Sequence, residues 1–146
     1  MVTDAVNIKD AFIINIGVKF NLITKVGYNK EEVVLRAIQT VKDFFDIDKW
    51  QIGQPIGLAD LAHKISIVDG VAAVVPPETE DNPDNSPVLI TNKFLESGGY
   101  SGNVYNILES TKNGVVYPSL DPSCFELKFP STDIEGRVVG DSSGDN

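Results

Sequence analysis

The sequence predicts an α+β domain in which helices pack on a small sheet, and three observations carry that prediction. Apolar residues alternate along Phe12 to Ile23, as they do in a strand with one buried face. Two amphipathic segments, 29–45 and 58–68, repeat apolar residues at helical spacing. The 146 residues are 42% hydrophobic and 23% charged, which is typical of a globular chain long enough to bury a core. We therefore expect a strand–helix–extended–helix–strand layer followed by an irregular β-rich C-terminal segment.

The first strand is the strongest of these elements. Its predicted buried face is formed by Phe12, Ile14, Ile16, Val18, Phe20 and Leu22. Its opposite face is predicted to carry Asn15, Gly17, Lys19 and Asn21. A glycine inside a strand marks a bulge or the close approach of another backbone, so one of these is expected at Gly17.

The first helix is predicted to begin after Asn29, which is an N-cap, with Glu32 closing a capping box. It runs to about Phe45. Its apolar stripe is formed by Val34, Ile38, Val41 and Phe45, widened by Ala37 and Phe44. An amphipathic helix of this kind packs its stripe on the sheet of its own domain.

The chain between the helices, Trp50 to Gly57, reads as an edge strand or a loop because Pro55 excludes a central strand position. The second helix spans Leu58 to about Val68, and Gly70 occupies a position that favours a left-handed backbone. A short buried strand, Val71 to Val75, follows it.

An acidic loop at 78–87 is the best candidate for an internal boundary. It divides the chain into an α+β domain at 1–77 and a β-rich irregular segment at 88–140 that packs on the first. Residues 141–146 are expected to form a disordered tail.

Within the irregular segment, Val88 to Phe94 is a plausible strand, and the sequence leaves two alternatives open. Residues 103–112 fit either a short helix or a strand. Asn113-Gly114 fits either a hairpin turn or a helix C-cap. Val115 to Tyr117 and Phe125 to Phe129 read as strand pieces.

Charge and composition exclude several functions. Twelve Lys and Arg against 21 Asp and Glu give a net charge of −9, which disfavours binding to nucleic acid or to an anionic membrane. A single cysteine, Cys124, excludes an internal disulfide and a thiolate zinc cluster, and a single histidine, His63, excludes a two-imidazole site. The apolar stretches are too short to span a bilayer. We expect no cofactor and no metal.

The candidate catalytic groups also lack their required context. His63 falls outside the apolar stripe of its helix, and Ser101 in Gly98 to Gly102 lacks the glycine spacing of a nucleophile elbow. Cys124 beside Phe125 is expected to be a small buried hydrophobe. The residues therefore favour a binding domain over a catalytic one, and a small hydrolase using carboxylates ranks third among the hypotheses.

The acidic residues are predicted to have structural or solvated positions. Glu78, Glu80, Asp81 and Asp84 do not match a calcium-binding loop. Asp121 and Asp133 are expected to be turn residues whose side chains bond nearby backbone amides.

Recognition of another protein surface remains, and the candidates for it are aromatic. Large amphipathic side chains lie near predicted loops, where they fit either an interface or an ordinary core. The predicted interface candidates are Trp50, Tyr100, Tyr105, Tyr117 and Phe125. We place part of the interface in residues 95–136.

Several runs of this sequence are similar to one known family. The runs are Ala11 to Phe20, Tyr28 to Val33, Ile47 to Ile56, Val68 to Val71, Tyr117 to Ser123 and Asp133 to Gly136. The chain resembles the baseplate wedge proteins of T-even-type contractile-tailed phages, within the wider baseplate J-like family. The resemblance covers nearly all of residues 8–140, and Trp-Gln-Ile-Gly-Gln-Pro-Ile at 50–56 is its most specific block.

The resemblance implies a non-enzymatic structural protein of the virion tail baseplate, made in the host cytoplasm. Such subunits pair with copies of themselves, contact other baseplate wedge proteins and join into a ring around the hub. The ring rearranges when the phage binds its host. Family members are several times longer, and their N-terminal helices have no counterpart in these 146 residues, so the helical-bundle role is not carried over. The alternative is a stand-alone, non-catalytic binding module of a tail or host-recognition protein.

Overall fold

The computed structural model describes residues 12–46, 50–119 and 122–141. It confirms an α+β fold in which helices pack on a small sheet. The elements are β1 Phe12–Thr24, α1 Lys30–Phe44, β2 Ile56–Gly57, α2 Leu58–Ser66, β3 Val71–Val75, β4 Leu89–Asn92, a 3₁₀ turn Glu96–Gly98, β5 Thr111–Lys112, β6 Val115–Val116, β7 Ser123–Glu126, α3 Pro130–Asp133 and β8 Ile134–Asp141.

Strand β1 is the centre of the main sheet. Val18 and Lys19 pair with β4 and also with β8, so these two strands lie on opposite sides of β1. The pairing with β3 and β4 is antiparallel, and the pairing with β7 and β8 is parallel. The sheet is therefore mixed, and it joins strands from both sides of the acidic loop.

Both neighbours of β1 are interrupted strands. On one side β3 ends opposite Asn21 and β4 begins opposite Lys19, while the chain between them leaves the sheet at 76–88. On the other side β7 ends opposite Asn15 and β8 begins opposite Val18, while the chain between them leaves at 127–133. Each excursion returns in register with the same central strand.

The helices cover one face of this sheet. Asn29 caps α1 as predicted, because its Oδ1 accepts a hydrogen bond from the Glu32 amide at 3.1 Å. The buried stripe of α1 is Val33, Ala37 and Val41, so the predicted stripe is rotated slightly and Val34 and Ile38 are only half-buried. α1 packs on β8 and on α2, and α2 packs on β3.

The predicted face of β1 is buried from Ile14 to Leu22, but Phe12 at its start is 39% exposed. Asn15 and Gly17 on the opposite face are buried as well, which the alternation did not predict. The segment after β4 covers them. A Cβ on Gly17 would lie 2.7 Å from Cε of Lys93 and 2.9 Å from Oγ1 of Thr91, so the nearest groups are side chains and not the backbone that was expected.

A second, small sheet has the order β2-β6-β5. Neither alternative for residues 103–112 holds before β5, because 103–106 are irregular and 107–110 form turns. Of the two alternatives for Asn113-Gly114, the structure shows the hairpin turn, between β5 and β6. Val116 and Ile56, which pair across this sheet, are both fully buried in the core.

The prediction missed β8. No strand was predicted beyond Phe129, yet Ile134–Asp141 forms an eight-residue strand along β1. Gly136 interrupts its apolar pattern because the ring of Phe20 fills the space where a Cβ would stand, 2.5 Å from that position. The predicted tail began at residue 141, but Asp141 is the last residue of β8, and residues 142–146 lie outside the described part of the chain.

Candidate interaction surface

The candidate metal ligands and nucleophiles lie apart from one another. Among the described residues, no group of three or more His, Cys, Asp or Glu side chains is placed to hold a metal ion. His63 is exposed on α2, and the Ser101 hydroxyl donates to the backbone oxygen of Ile13 at 2.9 Å. The pKa of the Cys124 thiol is raised, first by burial and second by the charge of Glu126, which disfavours the reactive thiolate.

The five predicted interface residues fall into different environments. Trp50 is 8% exposed and packs against the rings of Phe44 and Phe45, and Phe125 is 2% exposed. These two side chains belong to the core and offer a partner almost no surface. Their burial depends on the residues that surround them in the fold. A position next to a predicted turn does not reveal whether an aromatic side chain is buried.

The three tyrosines are nearer the surface. Tyr117 is 46% exposed, whereas Tyr100 and Tyr105 are half-buried. Tyr105 donates its hydroxyl to the backbone oxygen of Tyr117, and its ring lies 6.1 Å from the ring of Phe125. The structure therefore brings Tyr105, Tyr117 and Phe125 together.

Tyr100 is held by a buried carboxylate. Its hydroxyl donates to Oδ1 of Asp133 at 2.8 Å, and Asp133 is only 3% exposed. The expectation that the Asp133 side chain bonds nearby backbone amides was wrong, because the side chain turns inward and accepts from Tyr100. Burial first, and this hydrogen bond second, raise the pKa of Tyr100. Asp121 lies outside the described residues.

Asparagine side chains fasten the segment 93–105 to β1. Asn15, 1% exposed, donates to Oε1 of Glu126 at 2.7 Å and accepts from the Ser101 amide at 2.8 Å. Asn103 donates to the backbone oxygen of Ile13 at 2.7 Å. A buried asparagine in a strand needs hydrogen-bond partners, so the burial of Asn15 explains these bonds. The alternation placed Asn15 on the face opposite the buried one and therefore did not indicate them.

Asn92 completes these contacts at the end of β4. Its side-chain nitrogen donates to the backbone oxygens of Asn15 and Asn103, and its oxygen accepts from the Tyr105 amide at 2.8 Å. These hydrogen bonds satisfy backbone N–H and C=O groups that are not paired in a β-sheet.

Large apolar side chains lie exposed on this fastened segment and beside it. We call them the 94–129 surface: Phe94 (41% exposed), Leu95 (64%), Val104 (67%), Leu108 (51%), Tyr117 (46%) and Phe129 (36%). Phe129 is held in place by an edge-to-face contact with Tyr100, whose ring centre lies 5.4 Å away. Exposed apolar side chains concentrated on an ordered segment are typical of contact sites for other proteins.

A second feature is the outer edge of β8. Among the described residues β8 pairs only with β1, and none of the described strands lies along its other side. A groove of about 350 Å³ runs beside it, lined by Val34 and Leu35 of α1 and by Val138.

No family model and no curated protein matches this chain. The class that the structure defines is an α+β domain with an interrupted mixed sheet and an ordered apolar surface. Within the described part of the chain, no helix combines the length and the apolar character needed to cross a membrane.

Proposed function

We propose that this chain is a structural subunit of a contractile phage tail baseplate wedge. In this role it contacts copies of itself and other wedge proteins in the ring around the hub, and it takes part in the rearrangement of the baseplate on infection. The sequence blocks quoted above support the baseplate assignment. The observation that carries the proposal in the fold is the 94–129 surface, which exposes large apolar side chains on a tightly fastened segment.

The ordering of that segment matters for an assembly role. A contact made by loops that are already held in place loses less conformational entropy on association than one made by loops that must first be ordered. Asn15, Asn92 and Asn103 hold the backbone beneath the surface through bonds of 2.7 to 3.3 Å. A subunit contact formed here would bury apolar area at little ordering cost.

The net charge of −9 is compatible with this role. Acidic chains repel one another at long range and stay dispersed until a specific contact forms. The apolar side chains of the 94–129 surface supply a short-range attraction of that kind, because hydrophobic burial acts only on contact.

The first test measures self-association by sedimentation velocity. Leu95→Ser and Val104→Ser each remove an exposed apolar side chain from the 94–129 surface, and both variants are expected to lower the dimer or oligomer fraction of the wild-type chain. Ile67→Ser, at the C-cap of α2, is the matched control, since Ile67 is 67% exposed and does not belong to this surface. If the Ile67 variant dissociates the oligomer and the other two do not, the surface is placed wrongly.

The second test addresses the virion. Purified tails are washed, and this chain is counted against the sheath subunit by quantitative mass spectrometry. A fixed ratio that survives washing supports a ring component. Absence from washed tails, together with a strictly monomeric chain that binds a host glycan or protein, supports the binding-module alternative instead.

A further inference from the structure

The turn of the β5–β6 hairpin has the chemistry of a self-modifying site. Asn113 and Gly114 are its two central residues, and both have positive φ, 54° and 77°. Both residues are exposed. An Asn-Gly pair suits this type of two-residue turn, because both positions need a left-handed backbone.

The side chain of Asn113 differs from those of Asn82, Asn92 and Asn103. The amides of Asn92 and Asn103 are held by hydrogen bonds to β1 or its neighbours, and Asn82 is buried with bonds to Pro77 and Ser86. Among the described residues, no hydrogen bond engages the Asn113 side chain. Its amide carbon is therefore open to attack.

The attacking group is also free. Within the same described part of the chain, the Gly114 N–H donates no hydrogen bond, and Gly114 has no side chain to obstruct the approach. Asn85 provides the contrast: it is exposed and has a φ of 52°, but the amide of the next residue, Ser86, donates to Oδ1 of Asn82 at 2.9 Å. The same backbone conformation thus occurs twice, and only at Asn113 is the next amide available.

We propose that Asn113 is a site of spontaneous deamidation and isoaspartate formation in the folded chain. The Gly114 nitrogen attacks Cγ of Asn113, the new C–N bond closes a succinimide, and the Cγ–Nδ2 bond breaks. Ammonia leaves, taking up the proton that the Gly114 nitrogen loses. Water then opens the ring at one of its two carbonyls and gives aspartate or isoaspartate.

The isoaspartate product would have a structural effect beyond its new charge. It places an additional main-chain carbon in a turn of only two residues, and hairpin register depends on turn length. The backbone oxygen of Gly114 accepts a hydrogen bond from the Leu58 amide at 2.8 Å, and Leu58 is the first residue of α2. Isoaspartate at 113 therefore loosens the start of α2 as well as the hairpin.

The test incubates the folded chain in mildly alkaline buffer and follows each asparagine by peptide mapping with fragmentation that separates aspartate from isoaspartate. We expect loss of the amide at 113, with isoaspartate among the products, before any loss at Asn85. Asn113→Gly, which keeps the positive φ and removes the amide, should leave the peptide unchanged. An Asn85 that reacts as fast as Asn113, or a product at 113 that is aspartate alone, would overturn the proposal.

A second measurement tests the effect on α2. Hydrogen exchange at the Leu58 amide is compared in fresh chain, in aged chain and in Asn113→Asp, which carries the new charge on a normal backbone. We expect faster exchange in the aged chain in proportion to its isoaspartate content, and slow exchange in Asn113→Asp. Equal exchange in fresh and isoaspartate-containing chain contradicts the structural part of the proposal.

Discussion

The layer formed by β1 and the helices and the segment 93–105 are held together by different interactions. The first buries alternating apolar side chains, with Phe20, Ile16 and Leu22 fully inaccessible. The second lacks a regular ladder and is fastened by asparagine side chains to the backbone of β1. The difference shows that one strand can serve a hydrophobic core on one face and a polar anchorage on the other.

The largest effect is expected in the apolar layer. Phe20→Ala should lower the free energy of unfolding by about 3–5 kcal/mol, because it leaves a cavity beneath Gly136 where little can collapse. Phe12→Ala is the matched control on the same strand, since Phe12 is 39% exposed and should cost much less. Urea denaturation measures both, and equal losses would show that burial does not separate the two positions.

A smaller effect is expected in the polar anchorage. Asn15→Ala removes the partners of Glu126 and of the Ser101 amide and should cost about 1–3 kcal/mol, because a buried donor is left unsatisfied. Asn21→Ala, at a half-buried position on the same face of β1, should cost less. Hydrogen exchange at Ser101 separates the mechanisms. Its rate should rise in the Asn15 variant alone, and a rise in both would point to a general loosening of β1.

Tyr100 tests the outer end of the same anchorage. Tyr100→Phe removes the bond to Asp133 and should cost about 1 kcal/mol near neutral pH. The pKa of Tyr100 is raised above its ordinary 10.0, so its contribution to stability is fully present below pH 10 and is lost as pH rises through the folded-state value. The unfolding free energy of the wild type should therefore fall more steeply above pH 10 than that of Tyr100→Phe.

Tyr28 must be controlled in that experiment, because its pKa is also raised, first by a hydrogen bond to Asp69. The comparison is made in a Tyr28→Phe background, which removes the contribution of Tyr28 from both pH curves. Parallel pH curves for the two chains would show that Tyr100 does not gain stability from Asp133.

The smallest effect is expected outside both regions. Arg36 and Glu32 form an exposed ion pair on α1, with nitrogen and oxygen 3.7 Å apart. Glu32→Gln should change the unfolding free energy by less than about 0.5 kcal/mol, since solvent and salt screen such pairs. Thermal unfolding at low and high salt measures this change. A larger loss would mean that this surface ion pair contributes to the stability of the layer formed by β1 and the helices.

The elements predicted correctly were those with a local signal. The alternation in β1 and the Asn29 cap each depend on a few neighbouring residues. Asn113-Gly114 was predicted as either a hairpin turn or a helix C-cap, and its pairing partners decide for the hairpin. β8 was missed because Gly136 breaks its pattern, and the glycine is required by Phe20, a residue more than a hundred positions away. Sequence periodicity contains no record of a contact at that distance.

The candidate surface was predicted less well than the fold. Tyr117 was identified and is exposed, but Trp50 and Phe125 lie in the core. Leu95, Val104 and Phe129 were not singled out, because an apolar residue in an irregular segment looks the same whether it is buried or exposed. The hydrogen bonds of Asn15 and Asn92 decide which side chains face outward, and they become visible only in three dimensions.

The interrupted neighbours of β1 also determine when this domain is able to fold during synthesis. β1 is translated long before β8, yet its residue Val18 pairs with Ile134. Until the ribosome has released β8, the nascent central strand has one open side and an uncovered core. Pairings of such long sequence separation form slowly, so this side of the sheet closes only after more than a hundred further residues have been added to the chain.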